Sequence, residues 1–148
     1  MTAGRRLAFG NYSVLNALVR FDTSALPDNA TVTSATLKAY VTGKQDADNR
    51  NLVADWYSSS NWPIDTTDWT LTSTANALTG ADITAISANA VNSFSLTGLA
   101  GGISLTGYSG LRLLVDGAQP AGDNYVQLAT FDNTSVPKPQ LVVAYTLP

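Results

Sequence analysis

The amino-acid sequence predicts an all-β protein, a single antiparallel sandwich or barrel of about eight to nine short strands. Three observations lead there. Apolar and polar residues alternate in run after run. The runs are punctuated by Gly, Pro, Asn and Asp. Helix formers are scarce, because all 11 acidic residues are Asp and none is Glu. Glu favours helices, whereas Asp favours caps and turns. A chain of 148 residues fits one domain with its own core.

The elements follow in order. "RRLAF" (5–9) is a short strand. "SVLNALVRFD" (13–22) reads as one longer strand, with Leu15, Ala17, Val19 and Phe21 on one side and Val14, Asn16, Leu18 and Arg20 on the other. "TSALPD" (23–28) suits a single helical turn, capped by Ser or Thr and stopped by Pro27. In "SATLKAYVT" (34–42), Ala35, Leu37, Ala39 and Val41 face one way and Thr36, Lys38, Tyr40 and Thr42 the other, the pattern of a half-buried strand. "NLVADWY" (51–57) puts Leu52, Ala54 and Trp56 on one face. A polar stretch, 58–80, follows as a long loop. "DITAIS" (82–87), "NSFSLTG" (92–98), "GLRLLVD" (110–116), "NYVQLATFD" (124–132) and "PQLVVAYTL" (139–147) complete the strands. Core positions expected from these patterns are Trp56, Phe21, Leu37, Val41, Leu113, Leu128 and Val142.

Composition removes several chemistries. The chain has no His and no Cys. That excludes a Ser-His-Asp triad, a Cys-His pair, an ordinary zinc site and a disulfide frame. The raised-pKa Glu common in glycoside hydrolysis is also missing. These absences predict a non-catalytic protein. The net charge of −3 gives no nucleic-acid footprint. No segment reaches membrane-span length, and residues 1–11 hold no apolar stretch of signal-peptide length. Neither membrane insertion nor an export signal within this chain is expected.

The three tryptophans, Trp56, Trp62 and Trp69, lie in one window. Trp56 shares the apolar face of its strand and reads as core. Trp62 and Trp69 lie in the long loop and carry two readings. They stack on sugar rings, or they fold back and cap one end of the sandwich, which Pro63 and Ile64 favour. Asp46 and Asp48, with Asn49, could offer oxygens to calcium, as could Asp65 and Asp68. Neither stretch has a complete calcium loop, so turn chemistry is the preferred reading. Arg20 and Asp22 share a strand face; Asp22 is expected to accept from the following turn and Arg20 to pair with a carboxylate. Gln119, Asn124 and Tyr125 lie where loops gather at the end of a sandwich and are candidate contact residues.

"ALVRFDTSALPDNATVTSATLKAYVT" (17–42) resembles the opening of the DNRLRE domain family. The resemblance rests on Arg20-Phe21-Asp22, the Leu26-Pro27 turn and the strand from Val32 to Tyr40. The ending "VPKPQLVVAYT" (136–146) resembles the family's closing strand. This resemblance implies a jelly-roll sandwich, similar to carbohydrate-binding modules, carried as a non-catalytic piece of a larger secreted or surface protein. Residues 107–146 also resemble C-terminal domains of phage minor tail proteins, which implies a virion domain. The expected location is thus a virion or a cell surface. Expected partners are other virion or surface proteins, or surface glycans. Family members usually open with a strand that precedes the start of this chain. A sandwich lacking it has an open edge. The strand at 5–9 or its neighbour is therefore expected to be covered by another chain, in a homo-oligomer, for which a trimer suits a tail component, or from the parent assembly.

Overall fold

The computed structural model describes residues 1–58 and 63–148. Among them, ten strands form two antiparallel sheets packed face to face, a β-sandwich. The strands are β1 (Thr2–Ala8), β2 (Asn11–Leu15), β3 (Ala17–Asp22), β4 (Thr31–Asp46), β5 (Asn51–Tyr57), β6 (Ser73–Asp82), β7 (Ala90–Leu96), β8 (Tyr108–Val115), β9 (Asn124–Leu128) and β10 (Gln140–Thr146). Helical structure is limited to a 3₁₀ turn at Asp68–Thr70 and one turn, α1, at Leu99–Gly102. No helix among the described residues is long and apolar enough to cross a membrane.

One sheet has the order β10-β4-β9-β1-β2, with β7 also on β4; the other has the order β3-β8-β5-β6. The long β4 organises the first. Its residues Ala35–Lys38 pair with β7 and β10 at once, and Val41 pairs with both β7 and β9. Strands β10 and β9 therefore occupy the same side of β4, one beyond the other. Ala35, Leu37, Ala39 and Val41 are buried, as their alternation predicts. Facing them are Leu52, Ala54 and Trp56 of β5 and Leu111, Leu113 and Val115 of β8. The Trp56 indole donates to the Thr97 carbonyl at 2.7 Å. It packs so closely on α1 that a Cβ at Gly102 would lie 2.2 Å from the ring. Glycine is what lets the chain pass there.

The structure departs from the sequence expectations at identifiable places. Residues 13–22 are two strands in different sheets, because the chain crosses over at Asn16. Alternation continues through such a crossing and cannot mark it. The segment 23–28 forms turns, not a helix: Leu26 N donates to Thr23 O and Ala30 N to Pro27 O. The polar stretch contains β6, of which only Ala77 and Leu78 are buried. "DITAIS" is a turn whose Ile83 and Ile86 both point into the core, mimicking a strand.

Val142 is not a core residue. It pairs with the outward Thr36 and is 46% exposed, whereas Leu141 and Val143 pair with Leu37 and Ala35 and pack against the core. Four apolar residues in a row hide the period, and a one-residue shift in register exchanges the two faces. Phe21, Leu37, Val41, Trp56, Leu113 and Leu128 are buried.

Candidate functional site

Three regions outside the core place the candidate residues. The first is the outer face of the four-stranded sheet. Arg20, Gly110 and Tyr57 stand side by side across β3, β8 and β5. The Tyr57 ring lies on Gly110, where a Cβ would come within 2.7 Å of Cζ. The Arg20 guanidinium lies 6.0 Å from the Tyr57 ring centre. The segment from Pro63 to Thr72 folds over this row. Asp68 Oδ1 accepts from Arg20 Nη2 at 2.7 Å, with both side chains buried. Asp68 Oδ2 accepts the amide of Asp65. Arg112 Nη1 donates to the carbonyls of Trp69 and Leu71 at 3.2 and 2.9 Å. Burial pushes the Tyr57 phenol pKa up. The Thr67 hydroxyl and amide donate to Asp65 and hold its carboxyl below the usual carboxylate value.

Arg20 does pair with a carboxylate, Asp68, but that residue comes from the 3₁₀ turn of the overlying segment and not from a neighbouring strand. Both Asp68 oxygens accept hydrogen bonds from the protein itself, one from Arg20 and one from the Asp65 amide. Trp69 is 40% exposed and rides on this pinned segment, over the sheet face rather than at the end of the sandwich. Trp62 lies outside the described residues.

The second region is the end of the sandwich where 46–50 meets 116–124. Arg50 sits at its centre. Its Nη1 donates to the Asp116 and Ala118 carbonyls at 2.7 and 2.9 Å, its Nη2 to Gln119 O at 3.4 Å, and Asp48 lies 3.5 Å away. The guanidinium thus gathers carbonyls and a carboxylate around one positive charge. Asp46 accepts from the Arg50 amide and the Thr84 hydroxyl. Asp48 accepts from the Ala121 amide and from Asn124 Nδ2 at 2.8 Å. The Asn124 bond is the main reason the Asp48 carboxyl is held below its usual pKa. The calcium candidates Asp46 and Asp48 thus accept hydrogen bonds from Arg50, Thr84, Ala121 and Asn124, which ties the loop to the neighbouring 83–89 turn. No cluster of three or more metal-binding side chains occurs among the described residues.

Asn124 is corrected by the same geometry. It is fully buried, with its amide bonded to Asp48 and to the Gly122 carbonyl, so it is a structural residue and not a contact residue. Gln119 is exposed at the loop tip. Tyr125 is half-buried on the outer face of the larger sheet, beneath the Arg6 guanidinium at 5.2 Å. Arg6 also pairs with Asp123 at 2.7 Å and holds that carboxyl below its usual value.

The third region is the β1–β2 hairpin, which the sequence marked as a sheet edge without marking its turn or its exposed apolar residues. Phe9 and Gly10 form its two-residue turn with φ of 50° and 76°, the left-handed pair of a type I′ turn. Phe9 is 104% exposed, and Tyr12 and Val14 are 40% and 36% exposed. A bulky residue at positive φ is unusual. The readable signal was Gly10 in "AFGNY", which marks a turn; only the Ala8–Asn11 pairing shows that Phe9 and not Asn11 shares it. The described candidate ligand residues, Trp69, Gln119, Asn124 and Tyr125, are distributed over separate regions. No protein-family model, no curated protein and no solved structure matches the chain.

Proposed function

We propose that this chain is a non-catalytic structural and interaction module. Its setting is a phage virion, where it decorates a tail or capsid and contacts the host surface or other virion subunits. The observation that carries the reading is the contrast between polar and apolar display. Carboxylates at the loops are bonded to the protein's own arginines and amides, while Phe9, Tyr12 and Val14 stand in solvent on an open sheet edge. Exposed apolar surface of this kind suits docking. The virion setting rests on the resemblance of residues 107–146 to phage minor tail proteins.

A second reading, a carbohydrate-binding module, is favoured by Trp69, a partly exposed indole on a pinned segment. Titration with soluble oligosaccharides, followed by tryptophan fluorescence, separates the two. The virion reading expects no response and association with phage particles. A saturable shift that Trp69→Ala abolishes would establish the sugar module instead.

A further inference from the structure

We propose that two copies of this chain join edge to edge through β2, antiparallel about a two-fold axis at Ser13. The inference rests on the reading of the chain as an interaction module and names a second copy as the partner.

β2 ends the six-stranded sheet, and only β1 pairs with it among the described residues. In a two-residue hairpin the pair that closes the turn, here Ala8 and Asn11, exchanges hydrogen bonds. Alternation then turns the backbone N–H and C=O groups of Tyr12 and Val14 outward. A two-fold at Ser13 places Tyr12 opposite Val14 of the second copy, so these groups satisfy one another. The side chains match too: an aromatic residue meets a β-branched one on the same face, a stabilising cross-strand pair.

Nothing on the strand opposes this. Asn11–Leu15 carries no charge and no proline, the usual means of blunting an edge. The other edges are less regular or less neutral. β6 and β10 carry register shifts, β3 carries Arg20 and Asp22, and the turn at 83–89 lies against the start of β7 through Asn92. The two nearest cations are already engaged. Arg6 pairs with Asp123, and Arg5 donates to the Val115 carbonyl and to the Tyr12 hydroxyl.

The hairpin also overhangs the smaller sheet. Ala3 and Arg5 face that sheet, and β8 ends at Val115 beneath Arg5. Leu7, Tyr12 and Val14 share that inward face further out, where Leu7 is half-buried and Tyr12 and Val14 are exposed. Joining two copies brings both overhangs together as one apolar surface. The contact is isologous, so it closes at a dimer and does not generate the trimer expected for a tail component.

The chain has no cysteine, which makes a clean probe available. At a non-hydrogen-bonded antiparallel pair the Cα atoms stand about 4.5 Å apart, within disulfide reach. Ser13 is exposed, so changing it spares the fold. Under mild oxidation Ser13→Cys should form a covalent dimer about tenfold faster than the exposed control Asn29→Cys, because pairing raises the local thiol concentration. Sedimentation of the unmodified chain should show a concentration-dependent dimer, which Ser13→Lys returns to monomer with an unchanged circular dichroism spectrum. Equal cross-linking of the two cysteine variants overturns the proposal, as does a trimer, or a dimer indifferent to Ser13→Lys. A monomer at every concentration that still binds phage particles also removes this interface, while leaving the interaction-module reading intact.

Discussion

Trp56 and Tyr57 are neighbours in β5 and both are buried, but on opposite faces of the same strand. Trp56 is enclosed by the other sheet, with apolar neighbours and one hydrogen bond to Thr97. Tyr57 faces the side of a sandwich that normally meets water. It is enclosed by a segment of its own chain, which Arg20 and Arg112 hold down. The difference teaches that burial here has two origins. Inside, apolar area removed from water drives it. Outside, a buried ion pair and two carbonyl contacts do, and such a pair is sensitive to the loss of either partner.

The largest effect expected on the inner side is from Trp56→Ala, which should destabilise by about 3–5 kcal/mol in chemical denaturation. A loss well under that would mean that the two sheets close over the gap.

On the outer side, Asp68→Ala removes the buried carboxylate that Arg20 meets at 2.7 Å and should destabilise by about 3 kcal/mol. Replacing both residues by leucine should recover most of that loss, because an apolar pair leaves no stranded charge. If the double variant is as weak as the single one, the segment is held by something other than this pair.

Gly110→Ala sharpens the comparison further. Its methyl group would displace the Tyr57 ring, and overpacking of this kind is worth about 1–3 kcal/mol. Protease susceptibility near residues 63–72 should rise with it, and the inner core should be unaffected. Uniform destabilisation without local opening would argue against the ring as the floor of the segment.

Acid should produce the smallest change and act on the outer regions alone. The carboxyls of Asp48, Asp65 and Asp123 are depressed in the folded state from an ordinary value of 3.8. Depressed carboxyls contribute stability above the unfolded value and lose it as pH falls through the folded one. The melting midpoint should be flat from neutral pH down to about 5 and should fall below about 4. A midpoint that is already falling at pH 6 would point to a different group.

Much of the inner face was readable from the chain. The alternation in 34–42 and 51–57, with the lack of Glu, His and Cys, specified strands, a sandwich and a buried Trp56. Period two is a direct consequence of the strand backbone, so it is written locally. What surrounds each strand is not. The sequence carries no mark of the sheet change at Asn16, of the register that turns Val142 outward, or of the turn that seats Ile83 and Ile86. Those depend on which strand lies alongside, a pairing made between residues far apart in the chain. The partners of Asp68, Asp48 and Asn124 were hidden for the same reason. Asp and Asn in a loop look alike whether they bind an ion, cap a turn or meet an arginine, and only the fold brings Arg20 to Asp68 and Arg50 to three carbonyls. The chain by itself determined the periodic backbone and the excluded chemistry. Tertiary structure decided which faces are covered, because burial depends on what a residue meets and not on what it is.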